Sequence, residues 1–149
     1  MLSKIKNYFM DKSVFYFLLL GSGLLALISS IVFYVLDVTT IKGNITFTDD
    51  SLMTFIFMLI GVAGCIFAAL TKFKFAPLIP VIFFALGFSQ NVVMACFPAA
   101  DILKGVPFFT SNMDIANSTF RIFLIFGILF FISLVLSIIY CFASREKKR

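Results

Sequence analysis

Residues 14–36 read VFYFLLLGSGLLALISSIVFYVL, an apolar run that contains no charged side chain. A hydrocarbon core of about 30 Å requires roughly 20 apolar helical residues, so this run is long enough to cross a membrane. The runs 51–70, 77–97 and 122–143 meet the same criterion. The sequence therefore predicts an all-α integral membrane protein, with one domain over residues 1–149 folded as an up-down-up-down bundle of four transmembrane helices.

The overall composition agrees with this fold class. The chain is 62% hydrophobic and 13% charged, whereas soluble domains are about 45–50% apolar and about 25% charged. A chain this short and apolar has too little polar surface for a water-soluble globule. Composition thus excludes a cytosolic enzyme, a secreted disulfide scaffold and a disordered tail.

The distribution of basic residues predicts the orientation. Nine of the 12 cations precede the first run, follow the last, or lie in the link 71–76. The positive-inside rule then places both termini in the cytoplasm and the loops 38–50 and 98–120 outside. Residues 1–13 are expected to form a basic amphipathic segment on the inner leaflet, and 144–149 a basic cytoplasmic tail. The basic charge is explained by topology, so we expect the plasma (cytoplasmic) membrane and no nucleic-acid partner.

Local signals predict where the helices begin and end. Asp49, Asp50 and Ser51 are suited to cap the second helix, and residues 117–119 to cap the fourth. Pro98 is expected to end the third helix, because proline lacks the N–H that a helix interior uses. Gly-Asn at residues 43–44, between two β-prone runs, is a weak hairpin signal.

Polar side chains inside the predicted spans are the first candidates for a site. They are Ser89, Gln90 and Asn91 in the third span, with Ser29 and Ser30 at a similar depth in the first. An amide in hydrocarbon requires a hydrogen-bond partner, so this polar layer either lines a pore or joins helices. We favour the joining of helices.

Small residues recur at helical spacing and are expected at contacts between helices. They are Ser22, Ala26, Gly61, Cys65, Gly87, Ser133 and Ser137. Packing within one bundle is the simpler interpretation, and a stripe left uncovered would form a subunit interface.

An outer group of charges is the third candidate. Asp37, Asp101 and Asp114 lie at or near helix ends on the predicted outer side, together with Arg121. The three carboxylates could attract cations or bind Ca²⁺, although solvated loop charges are the simpler interpretation. Arg121 is expected either to pair with Asp101 or Asp114, or to reach the outer headgroups.

Groups suited to catalysis are scarce. The chain has no His, no carboxylate pair within a span and no CxxC, so we expect no enzyme, no cofactor and no metal site. The sequence predicts a non-enzymatic polytopic protein that acts as an oligomeric or accessory subunit through its helix faces and short outer loops. Its expected partners are the lipid bilayer and either further copies of itself or a larger membrane protein. The alternative is a small oligomeric channel or facilitator for ions or a neutral solute, lined by the polar layer.

Overall fold

The structure is a computed structural model that describes residues 14–45, 51–71, 73 and 75–146, with side chains described from Tyr16 to Phe142 within these ranges. It contains the helices α1 (Val14–Leu36), α2 (Ser51–Leu70), α3 (Leu78–Lys104) and α4 (Met113–Glu146), and a π-helical turn, Asp37–Ile41, continues α1. All four helices are long and apolar enough to cross a membrane, which makes the chain a multi-pass membrane protein. The predicted N-terminal segment 1–13, residues 46–50 and the tail residues 147–149 lie outside the described residues.

The helices pack as a closed ring. Each of α1 and α3 packs against both α2 and α4. The α2–α3 contact fixes their relative direction, because Gly61 lies against Phe84 while Met58, one turn earlier in α2, lies against Gly87, one turn later in α3. Neighbouring helices joined by short links thus run antiparallel and form an up-down-up-down bundle.

The third helix is longer than predicted. Pro98 is buried inside α3, which continues to Lys104 and ends where Gly105 adopts a left-handed conformation with φ 68°. The predicted end at Pro98 is therefore wrong. A proline removes one backbone hydrogen bond, and helices packed within a membrane bundle tolerate that loss.

The fourth helix also begins earlier than predicted. Asn112 caps it, since its Oδ1 accepts a hydrogen bond from the N–H of Ile115 at 2.9 Å. Asn117, predicted to cap the helix together with the two residues after it, lies inside α4, where its Nδ2 donates to the carbonyl of Met113. The loop between α3 and α4 is thereby shortened to residues 105–112.

No hairpin forms within the described part of the first outer loop. Residues 37–41 are helical, and the extended pairing is an isolated antiparallel bridge between Ile45 and Thr110. The strand prediction fails because the backbone of α1 continues as a π-helical turn into the residues expected to form the first strand.

Candidate functional site

Large apolar side chains fill the interior of the bundle. The ring of Phe33 in α1 lies 5.7, 5.4 and 5.8 Å, centroid to centroid, from Phe123, Phe126 and Phe130 of α4. Phe84 of α3 is also completely buried. Candidate sites must therefore be sought at polar groups between helices, at the ends of the bundle and on its outer surface.

The predicted polar layer is divided between two sides of α3. Asn91 is 1% exposed, whereas Ser89 is exposed and Gln90 is partly buried. Successive helical residues are rotated by about 100°, so side chains two positions apart project in nearly opposite directions. The structure thus does not bring Ser89 and Asn91 together within one chain. Ser29 and Ser30 are buried in α1.

Asn91 lies against α4 at Gly127. A Cβ atom on Gly127 would be only 2.9 Å from the Oδ1 of Asn91, so the glycine allows this close approach. The Nδ2 of Asn91 has no hydrogen-bond partner among the described residues, and neither has the Oγ1 of Thr54, a fully buried residue of α2. The sequence did not single out Thr54 as a candidate, although it lies on the same buried face of α2 as Gly61 and Cys65.

The small residues singled out in the sequence are all buried in this bundle. They are Ser22, Ala26, Gly61, Cys65, Gly87, Ser133 and Ser137. The closest approaches join α2 to α3, where the ring of Phe84 lies on Gly61, and the sulfur of Met58 lies 2.7 Å from the position of a Cβ on Gly87. A role for these residues between subunits stays a prediction.

Asp101 is completely buried near the end of α3. Its carboxylate accepts hydrogen bonds from three consecutive backbone N–H groups and one hydroxyl, those of Phe108, Phe109 and Thr110 and the Oγ1 of Thr110, at 2.8–3.1 Å. The interpretation of Asp101 as a solvated loop charge is therefore wrong. It fails because α3 extends further than predicted, and the turn at Gly105 brings these donors back over the carboxylate.

The other predicted outer charges are placed differently from one another. Asp37 is also completely buried, and its Oδ2 accepts a hydrogen bond from the Oγ of Ser51 at 2.6 Å. It too is therefore not a solvated charge. Asp114 and Arg121 are exposed on α4, and among the described residues Arg121 forms no ion pair with Asp101 or Asp114. A joint role for the four residues stays a prediction.

The two loops at this end of the bundle are joined. Both the backbone N–H and the Oγ of Ser111 donate to the carbonyl of Asn44, at 3.0 and 2.9 Å, next to the bridge between Ile45 and Thr110. We call residues 37–45 and 101–113 the cap. It lies at the end of the bundle away from both α1's first residue and α4's last.

The cap carries apolar side chains that are not covered. Leu103 is 88% exposed, Val106 59% and Phe108 71%. We call these three residues the cap patch. Phe109, next to Phe108 in the chain, packs edge-on against Phe97 of α3, with ring centroids 5.2 Å apart. This contact attaches the loop to α3.

A groove of about 430 Å³ lies between α1 and α2, in the half of the bundle nearer Val14 and Leu70. Its lining is apolar and includes Gly21, Gly23 and Cys65. A Cβ on Gly21 would meet no atom within 4 Å, so the groove is open at this residue.

Among the described residues, no group of three or more His, Cys, Asp or Glu is placed to hold a metal ion. Comparisons with protein-family models, with curated proteins and with solved structures find no match to the chain.

Proposed function

We propose that this protein is a non-enzymatic accessory or oligomeric membrane subunit that binds a larger membrane protein through its cap. Both termini face the cytoplasm in this proposal, and the cap lies outside the plasma membrane. The observation that carries the proposal is the exposure of the cap patch. Apolar side chains on a membrane span face lipid as a matter of course, whereas an apolar cluster exposed to water is typical of an interaction site.

The lengths of the helices support a position of the cap patch beyond the lipid. Helix α2 has 20 residues, about 30 Å, which matches the hydrocarbon core. Gly61 lies opposite Phe84, and Met58 lies opposite Gly87. If the same antiparallel register continues toward the cap, Ser51, the first residue of α2, lies level with Met94 of α3. Leu103 is nine residues further along α3, or roughly 13 Å. A headgroup layer is about 5–8 Å thick, so a hydrocarbon boundary at Ser51 would leave Leu103 on the aqueous side of the headgroups.

The hydrogen bonds of the cap support a preorganised surface. Asp101 fixes the backbone at residues 108–110, and Ser111 ties this loop to Asn44 of the other. A surface that is already ordered loses less conformational entropy when a partner binds. The same bonds hold the backbone of this loop in place at residues 108–111.

The proposal is tested by replacing the three residues of the cap patch with serine. The tagged protein is purified from its native membrane in nanodiscs, and the mass of the particle is measured. We expect the original chain to copurify at a fixed ratio with a larger membrane protein, and the triple variant to lose that partner. Val38→Ser is the matched control, because Val38 is an apolar cap residue, 47% exposed, outside the patch.

Two outcomes would contradict the proposal. One is a homogeneous monomer with no partner. The other is a triple variant that retains the partner as well as the Val38→Ser control does. Thermal unfolding of each variant in the same nanodiscs checks that the bundle remains folded, so that loss of the partner is not caused by loss of structure.

A second candidate function is a homo-oligomeric channel or facilitator. Ser89 supports it, because this polar side chain is exposed on α3 among apolar residues such as Val92 and Val93. In a ring of subunits, copies of Ser89 could line a path between chains. The interior of a single bundle is a poor route because Phe33 and Phe84 fill it.

This candidate predicts a closed oligomer in nanodiscs and a flux that depends on Ser89. Ser89→Leu should reduce flux in reconstituted vesicles without changing the oligomeric mass, whereas Val92→Leu, at another exposed position of α3, should leave flux unchanged. Equal flux in all three proteins, or a monomeric particle, would refute the channel.

A further inference from the structure

Two buried polar side chains, Thr54 of α2 and Asn91 of α3, lack hydrogen bonds among the described residues. Thr54 is 0% exposed and Asn91 is 1% exposed. Among the described residues, neither the Oγ1 of Thr54 nor the Nδ2 of Asn91 has a hydrogen-bond partner. By contrast, the buried hydroxyls of Ser30 and Ser137 donate to carbonyls of their own helices at 3.0 and 2.7 Å.

The packing of α2 on α3 sets these two residues at the same level. Gly61 contacts Phe84, and Met58 contacts Gly87. Moving three residues toward the cap along α2 therefore corresponds to moving three residues toward the cap along α3. The next step from Met58 and Gly87 leads to Thr54 and Asn91. The backbone of Thr54 is already close to α3, since its carbonyl oxygen lies 3.6 Å from the position of a Cβ on Gly87.

The two side chains complement each other as partners of a bound molecule. The amide of Asn91 offers a donor, and the hydroxyl of Thr54 offers both a donor and an acceptor.

We propose that one water molecule is bound between Thr54 and Asn91 as a constitutive part of the fold. The water accepts a hydrogen bond from the Nδ2 of Asn91 and donates one to the Oγ1 of Thr54. Buried waters in proteins bind in this way, with two to four polar partners that the protein itself leaves unsatisfied. Such a water joins α2 to α3 through polar contacts.

The inference is tested by a double-mutant cycle on the full chain in nanodiscs. Thr54→Val and Asn91→Leu are each expected to raise the unfolding equilibrium constant about tenfold. Each removes one hydrogen bond of the water and leaves the other polar side chain buried without a satisfied bond. The double variant should be no worse than the more affected single variant, since the whole polar site is then gone. Ser137→Ala is the matched control, a buried hydroxyl satisfied within its own helix, and its effect should multiply with that of Asn91→Leu.

If no water is shared, Thr54→Val deletes an unsatisfied hydroxyl, and the unfolding constant should fall or stay unchanged. The inference would also be overturned if the double variant changed the unfolding constant by the product of the two single changes, because Thr54 and Asn91 would then act independently.

A density map that resolves ordered solvent gives a second, independent test that does not depend on any variant folding. We expect a peak within hydrogen-bonding distance of both Thr54 Oγ1 and Asn91 Nδ2. A map in which these two atoms bond directly to each other, or to helix carbonyls, with no peak between them, would refute the bound water.

Discussion

The carboxylate of Asp101 should be the main stabilising group of the cap, and Asp101→Asn tests this directly. If the amide oxygen takes the place of Oδ1, the amide nitrogen replaces Oδ2, which accepts from the N–H of Phe109 at 3.1 Å and from the N–H and the Oγ1 of Thr110 at 2.9 and 2.8 Å. The N–H of Phe109 keeps its second acceptor, Oδ1, so only the two donors of Thr110 lose their acceptor. Hydrogen bonds to a charged group contribute about 1.5–3 kcal/mol each. Two such bonds are lost, and the lower desolvation penalty of a neutral amide offsets part of that loss. We expect the cap to be destabilised by about 3 kcal/mol.

Hydrogen exchange of the backbone amides measures this change where it occurs. A loss of about 3 kcal/mol corresponds to a local opening roughly 100 times more frequent, so the amides of Phe109 and Thr110 should exchange faster by that factor. Amides in the middle of α2 should be unaffected. Asp114→Asn is the control, because Asp114 is an exposed carboxylate in the same region. The reasoning is refuted if both variants show the same exchange at residues 108–110.

Two further substitutions test the packing and the helix ends. Gly61→Ala should destabilise the bundle by about 1–3 kcal/mol in thermal unfolding, because the added methyl group meets the buried ring of Phe84, whereas Gly21→Ala, with open space around it, should be neutral or slightly stabilising. Asn112→Ala should lower stability by about 0.5–2 kcal/mol, because the N-cap hydrogen bond of α4 is lost. Asn117→Ala, an exposed position inside the helix, should lower stability less. Equal effects would count against Asn112 as the N-cap residue.

The number and type of the elements follow from composition, because four uncharged apolar runs have few alternatives in a bilayer. The bounds of α1 and α2 are those of the predicted runs 14–36 and 51–70. The rule applied to Pro98 holds in water, where a helix with a missing hydrogen bond readily ends. In a packed bundle the helix is held by its neighbours, so it continues past the proline to Gly105.

The candidate sites were less predictable for geometric reasons. Ser89 and Asn91 are close in sequence, but helical rotation places them on different sides of α3, and a helical wheel could have separated them. The partners of Asp101 could not have been inferred, because they are backbone groups seven to nine residues away whose position depends on the turn at Gly105. Thr54 could have been found, since it shares the small-residue stripe of α2.

The longest helix has a consequence for communication across the bilayer. Helix α4 runs without interruption for 34 residues, about 51 Å, from the residue after Asn112 to Glu146. Its first residue, Met113, belongs to the cap, and its last turn lies at the opposite end of the bundle. One continuous helix therefore joins the cap to the opposite end of the bundle. In the proposed topology, it is a direct structural connection between the two sides of the membrane that requires no opening through the core.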